Sequence, residues 1–171
     1  DKSTRPLKDM VRESIFNIIS HSNLLNSKID KCIVLDLFSG VGSFGLEAIS
    51  RGAKKVIFFE DYKPTIDLLK KNINLLSFNH ESEIYEKNIY NKNSFRNLSY
   101  KFNLVFLDPP FKDENINNIL KNLADSRLLS SKTLLIIHRH KKTTDNFDKK
   151  FKVLREEMYG SSKIIFGIFI F

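Results

Sequence analysis

Val34-Leu35-Asp36-Leu37-Phe38-Ser39-Gly40-Val41-Gly42-Ser43-Phe44-Gly45 decides the fold. An apolar run from Ile33 to Leu37 gives way to Ser and Gly, and Leu46, Ala48 and Ile49 then follow at helical spacing. A buried strand thus stops at a glycine turn and enters a helix. Gly40 and Gly42 allow backbone to approach a ligand closely, and the helix start offers amide groups to it. Gly40, Gly42 and Gly45 also fit G-x-G-x-x-G, with Glu60 about twenty residues on at the end of a second apolar run, Val56 to Phe59. Taken alone, these residues satisfy a dinucleotide fingerprint.

Asp36 argues for a different ligand. It lies inside the strand end, where nicotinamide-binding strands stay apolar, and its carboxylate would repel a pyrophosphate. A cation suits it better, and S-adenosylmethionine carries both a sulfonium and an ammonium group. The alternative role for Asp36 is a carboxylate that caps the helix or braces the loop.

Outward from this turn the chain alternates strand and helix. Val11, Ile15, Ile18 and Ile19 mark an amphipathic helix after Arg5-Pro6. Strand one (Cys32 to Leu37), a helix to about Arg51 and strand two (Lys55 to Glu60) make a βαβ unit. A helix over Lys63 to Leu76 and a short strand over Glu83 to Lys87, ending at Asn88, come next. Residues 91–100 are polar and hold at most a brief helix. A strand from Phe102 to Leu107 runs into Asp108-Pro109-Pro110-Phe111, where two prolines forbid further ladder bonding. Ile116, Ile119, Leu120 and Leu123 mark another helix, Thr133 to His138 a fifth strand, and Phe151 to Glu157 pairs with Lys163 to Phe171 as a closing hairpin. The pattern predicts one open α/β domain over residues 1–171, with a lead-in and helix over 1–31 and the sheet over 32–171. Ligands in such sheets bind beyond the carboxyl ends of the strands, where Asp36, Glu60, Asn88 and Asp108 all fall.

The second motif supplies a chemistry. To methylate an amine conjugated to a base ring, its lone pair must be freed from the ring. Asp108 can accept one amine hydrogen bond and the Pro109 carbonyl another, aiming the lone pair at a sulfonium methyl. Phe111 offers a flat face for an extruded base.

Composition sets bounds. With 171 residues, 42% apolar content and 15 Phe, the chain can bury one substantial core. A net charge of +8 favours an anionic partner. Cys32 has no disulfide partner and sits at a strand start, as expected of a packing thiol in a reducing compartment. No signal peptide or membrane-length apolar run is visible, so a cytoplasmic protein is expected. His138 and His140 share one side of a strand end but have no third ligand nearby in sequence, so sheet-end histidines are expected and no metal. The paired lysines 54-55, 70-71, 141-142 and 149-150 are read as solvated.

Both motifs together resemble the class I S-adenosylmethionine-dependent amino-methyltransferases, and within them the bacterial RsmD-type 16S ribosomal RNA guanine-N(2) methyltransferases. The resemblance runs from Arg5-Pro6 and Val11 to Asn17, through Leu35 to Gly40 and Gly45 to Ala53, to Asp108-Pro109-Pro110-Phe111. Glu47-Ala48 with Ser50-Arg51-Gly52 is particularly telling, since general methyltransferases do not share it. It implies a Rossmann-like, mostly parallel seven-stranded sheet with a C-terminal antiparallel hairpin and helices on both faces. By resemblance, Asp36, Phe38, Gly40 and Gly42 hold the methionine part of the cofactor and Glu60 the ribose hydroxyls, with Asp61 near the ribose. Asn88 and Ile89 flank adenine, and Thr4 and Arg5 close over the cofactor. Asp108, Pro109 and Phe111 address the guanine, and S-adenosylhomocysteine is the product.

The partner implied is 16S ribosomal RNA, in a small subunit or its assembly intermediate, met by a monomer. Three positions depart from the family pattern: Leu7 replaces Thr, Asp61 stands one residue before the commoner acid position, and Asn88 replaces a frequent Asp. A basic, strand-rich segment usual before Arg-Pro is also expected to be missing. Competing functions are adenine-N(6) methylation of DNA or RNA, a nicotinamide-dependent oxidoreductase built on the glycines and Glu60, and an RNA-binding module with a retired active site.

Overall fold

The structure, a computed structural model, describes residues 9–171. Thr4 and the Arg5-Pro6 lead-in lie outside the described residues. Among those described, the elements in chain order are α1 (Asp9–His21), β1 (Ile33–Leu37), α2 (Ser43–Ser50), β2 (Lys55–Phe59), α3 (Lys63–Leu75), β3 (Ser82–Tyr85), β4 (Leu104–Leu107), α4 (Ile116–Asp125), β5 (Leu134–His140), β6 (Phe151–Tyr159) and β7 (Ser162–Phe169).

They build one seven-stranded sheet in the order β3-β2-β1-β4-β5-β7-β6. The first five strands are parallel, and β7 enters antiparallel to both β5 and β6. The chain winds outward from β1 to β3, then returns to place β4 on the other side of β1. That reversal opens a crevice at the carboxyl ends of β1 and β4, the place where such sheets bind ligands.

Central strands are buried on both faces, which is why they read as continuous apolar runs. On one face Val34, Val56, Phe58, Phe106, Ile136 and Phe166 pack against α1, α2 and α3. Phe44 of α2 stacks between Phe16 of α1 and Phe106 of β4, at centroid distances of 5.0 and 4.0 Å. Glu47 joins the two helices at their surface, accepting Arg51 Nε at 2.7 Å and facing Arg12 Nε at 3.6 Å. Arg51 lies 4.8 Å from the Phe16 ring centroid. The Glu47 and Arg51 pair noted in the sequence therefore docks α1 onto α2.

On the other face, Leu35, Leu37, Val105, Leu107, Leu135 and Ile137 meet α4. The connection from β3 to β4 holds turns and no helix, yet Ile89, Phe95, Leu98 and Phe102 from it fill this face. Its polar composition hid that role, because the four apolar residues follow no single period.

Element ends differ from expectation by small amounts with physical causes. β3 stops at Tyr85, so Asn88 lies beyond the strand in a turn. β5 runs on to His140 because β7 pairs with it as far as the His140 and Ser162 partners. The hairpin closes through Gly160 and Ser161 alone, with Gly160 at φ 58°. No helix among the described residues is long and apolar enough to cross a membrane.

Candidate active site

Side chains alternate along strands, and this alternation brings the site together. Asp36 follows Val34 on the face of β1 that meets α2, and its register partner on β4 is Phe106. Asp108 comes two residues after Phe106, and His138 two after Ile136, at the same edge. The Asp108 amide donates to the Leu37 carbonyl at 3.2 Å, so the Asp-Pro-Pro turn begins beside the glycine turn.

Asp36 is 1% exposed. Its Oδ2 accepts the amide of Gly45, the third residue of α2, at 2.9 Å. The carboxylate thus caps the helix from the neighbouring strand, as in the bracing role weighed from the sequence, and it occupies one of the amides expected to face a ligand. Oδ1 carries no hydrogen bond among the described residues. Burial pushes the Asp36 carboxyl up to about 8; the Gly45 amide opposes this, and the nearby Asp108 and Glu60 carboxylates add to it.

Glu60 closes the other side of the turn. Its Oε2 accepts the Gly40 amide at 2.9 Å, and Oε1 accepts the amides of Asp61 and Tyr62 at 3.1 and 3.0 Å. A carboxylate offers about four acceptor positions, so these bonds orient it and leave capacity for a hydroxyl. Asn88 donates from Nδ2 to Asp61 Oδ2 at 3.0 Å and accepts the Tyr90 amide at 2.9 Å. The structure therefore joins Asp61 and Asn88. Ile89 is 4% exposed and spends its side chain on the core, so a contact from it to an adenine ring would come from backbone. Phe38 has φ 60°, a strained value for a side-chain-bearing residue, and packs edge-on against Tyr90 at 5.7 Å.

The three glycines answer different needs. Gly40, at φ 55°, has nothing within 4 Å of where a Cβ would stand. At Gly42, φ 90°, a Cβ would fall 2.5 Å from Leu69 Cδ1, and at Gly45 one would fall 2.3 Å from Phe58 Cε1. Gly40 borders open space, while Gly45 lets α2 sit flush on β2. Gly45→Ala is accordingly expected to lose about 1–3 kcal/mol through overpacking, read as a lower denaturant midpoint at unchanged slope. Gly40→Ala is expected to cost about 1–2 kcal/mol, from the left-handed backbone alone, and to weaken cofactor binding measured by calorimetry.

Two residues that sequence reasoning missed complete the site. His138 Nδ1 lies 2.8 Å from Asp108 Oδ1, and its Nε2 lies 2.8 Å from Ser162 Oγ. Phe111 stands edge-on to the His138 ring at 5.4 Å and tilted to His140 at 5.3 Å. The two histidines do share a side, but as a floor for Phe111; no cluster of three metal-ligating side chains occurs among the described residues. Arg139, 1% exposed, points to the opposite face. It donates to both Asp145 oxygens at 2.9 and 3.0 Å and to the Asp113 carbonyl at 2.6 Å, anchoring the loop that follows Phe111. Burial, and then the hydrogen bond that Tyr90 donates to Asp113, raises the Tyr90 hydroxyl pKa, and that bond links the β3 side of the crevice to the loop. The signal for both residues was a polar triplet, His138-Arg139-His140, closing a run of buried strand.

Residues 1–168 match the family described as Conserved hypothetical protein 95. The chain belongs to this RsmD-type family of class I methyltransferases. Its relatives include a protein of Haemophilus influenzae named ribosomal RNA small subunit methyltransferase D, 32% identical over 91% of this chain and 78% of that one. A Bacillus subtilis protein named putative rRNA methyltransferase YlbH is 29% identical over 92% of this chain and 84% of its own length. Among solved structures, a putative methylase from H. influenzae superposes with a TM-score of 0.75 at 28% identity, covering 95% of this chain and 98% of that one. As an RsmD-type protein the chain is a methyltransferase, and its seven-stranded sheet with a C-terminal antiparallel hairpin is the Rossmann-like sheet expected of that class.

Proposed function

We propose that this RsmD-type chain transfers a methyl group from S-adenosylmethionine to the exocyclic N2 amine of a guanine in 16S ribosomal RNA. One observation carries the reading: Asp108, heading the Asp-Pro-Pro turn, is tied by its amide to Leu37, the last residue of the strand that leads into the glycine turn, so both motifs meet at the carboxyl ends of β1 and β4. Relatives named as small-subunit ribosomal RNA methyltransferases support the substrate class. The net charge of +8 suits a polyanion. The whole-length resemblance to RsmD-type sequences supports guanine over adenine.

The residues fit the cofactor. Open space stands where a Cβ of Gly40 would be, and the carboxylate of Glu60 and, once it ionises, that of buried Asp36 flank the turn, a pair that favours a cation over a pyrophosphate. Glu60 and the Asp61 and Asn88 pair would hold the ribose and the adenine edge, Phe38 and Gly42 the methionine end, and Thr4 and Arg5 would close over it. The bound cofactor supplies an electrophilic methyl on a sulfonium sulfur. Asp108 and the Pro109 carbonyl orient the guanine amine as acceptors, and Phe111 stacks on the base. The proton released after transfer passes to Asp108 or to water, so no strong base is needed. We further propose that the protein acts as a monomer in the cytoplasm, on a small subunit or its assembly intermediate.

Asp36 gives the test a distinctive readout. Its carboxyl stays protonated to about pH 8 in the protein by itself but ionises near 4 in an unfolded chain. The native state therefore binds more protons across that window, and stability falls as pH rises through it. A cationic ligand reverses the preference, so binding below about pH 8 expels the Asp36 proton. Calorimetry in buffers of different ionisation enthalpy should show proton release with S-adenosylmethionine, and none with Asp36→Asn. Tight NAD binding without S-adenosylmethionine binding would sink the proposal. So would a failure to methylate undermethylated small subunits.

A further inference from the structure

We propose that His138 is a positioning residue for the reaction, held by Ser162 and fixing Asp108 so that Oδ1 is occupied and Oδ2 alone faces the substrate amine. This rests on the amine-methylation reading above and assigns that reading a residue outside its two motifs. The array spans three strands: Asp108 follows β4, His138 lies in β5, and Ser162 opens β7. Both links measure 2.8 Å.

Direction along the array follows from burial and proton inventory. Asp, His and Ser in this order also make the triad of serine hydrolases, but there the serine is presented to substrate and the aspartate is buried behind. Here the order is inverted. The Asp108 side chain is 20% exposed and that of His138 8%, while Ser162 is buried. Serine is the anchor and the carboxylate is the working end.

The ionised Asp108 accepts only, so the imidazole must present Nδ1–H to Oδ1. In the neutral ring Nε2 is then an acceptor, and the Ser162 hydroxyl donates its hydrogen bond to it. Each member is satisfied by the next. Without the array, Asp108 turns freely about its last side-chain bond and offers the amine either oxygen in many orientations. With it, one oxygen is spent and the plane of the carboxylate is set. Phe111, edge-on to His138, shares that floor, so the stacking face and the acceptor are positioned by one ring.

Two isosteric replacements separate positioning from bulk. Asn at position 138 places an amide donor near the Nδ1 position and keeps the bond to Asp108. Gln places its amide near Nε2 and keeps the Ser162 side only. We expect His138→Gln to lower kcat roughly 10–100-fold, the loss of one hydrogen bond to a charged group, with KM for the small subunit and cofactor affinity unchanged. His138→Asn should retain kcat within about threefold, since its bond to Asp108 survives. Equal kcat in the two variants, or a change confined to KM, overturns the assignment.

A second measurement is independent of turnover and of how the variants fold. In wild-type protein labelled with nitrogen-15, the His138 ring should show a protonated Nδ1 and a bare Nε2 at neutral pH. The opposite tautomer overturns the proposal. A wild-type protein that binds cofactor but leaves small-subunit guanine unmethylated overturns the functional reading instead, while the ring-nitrogen signature still decides the pairing.

Discussion

Asp108→Ala is expected to lower turnover on small ribosomal subunits by roughly 10²–10⁴-fold while leaving S-adenosylmethionine affinity unchanged. The expectation comes from what the carboxylate touches. Oδ1 is committed to His138, and no bond runs from Asp108 into the glycine turn except through its backbone amide, which alanine keeps. On the proposed reading its free oxygen serves the substrate, and removing it takes away an acceptor that matters most when the amine lone pair must leave conjugation. Asp108→Asn sharpens the result. With its carbonyl oxygen turned to His138, the amide presents an N–H group to the substrate amine, and donor meets donor. Turnover should then fall as far as in the alanine variant, although size and burial are conserved. Single-turnover kinetics with calorimetry for the cofactor read the two quantities separately. Loss of cofactor binding with chemistry preserved would move Asp108 out of the substrate side of the site.

What could be read in advance was what is local in sequence. The strand, glycine turn and helix over Ile33 to Ser50 announce themselves because each glycine has a neighbour-imposed reason to be there, whether Phe58 beneath Gly45 or open space beside Gly40. Asp108-Pro109-Pro110 is equally local, since two prolines end a strand wherever they occur. The alternation of strands and helices likewise announced an open, mostly parallel α/β sheet, but not the order of its strands, which non-local pairing decides.

Three kinds of fact were not legible. His138 and Ser162 reach the site only through strand register, which sets Leu107 beside Ile137 and His140 beside Ser162. No local pattern encodes a partner thirty residues away. Asp36 carried the opposite problem, since its position suited either a ligand or a cap on the helix, and nothing local decided that Gly45 takes Oδ2. The segment between β3 and β4 hid a third, because Ile89, Phe95 and Leu98 bury themselves from turns in which periodicity says nothing.

Arg139 carries the largest expected effect on stability. Its guanidinium is buried against Asp145, whose side chain is 5% exposed, and it holds the Asp113 carbonyl beyond. Removing one member of such a pair strands the other charge away from water, so Arg139→Met should cost about 3–5 kcal/mol. Asp145→Leu alone should cost a similar amount by stranding the guanidinium. The double variant, apolar on both sides, should recover most of the loss, because the desolvation of both ions disappears with them. A double-mutant cycle by denaturant unfolding measures the coupling; strict additivity would mean that the pair is solvated and contributes little. The recovery should stop short of activity. Arg139 also draws in the loop after Phe111 through the Asp113 carbonyl, and Asp113 in turn receives the Tyr90 hydroxyl. With the guanidinium gone, that loop loses its tie to β5, and Phe111 loses the support that keeps it over His138. The double variant should therefore be stable yet slow, with the deficit in substrate KM and kcat and none in cofactor affinity. Folding and base positioning are in this way separable at one buried arginine, because its two sets of bonds serve different partners.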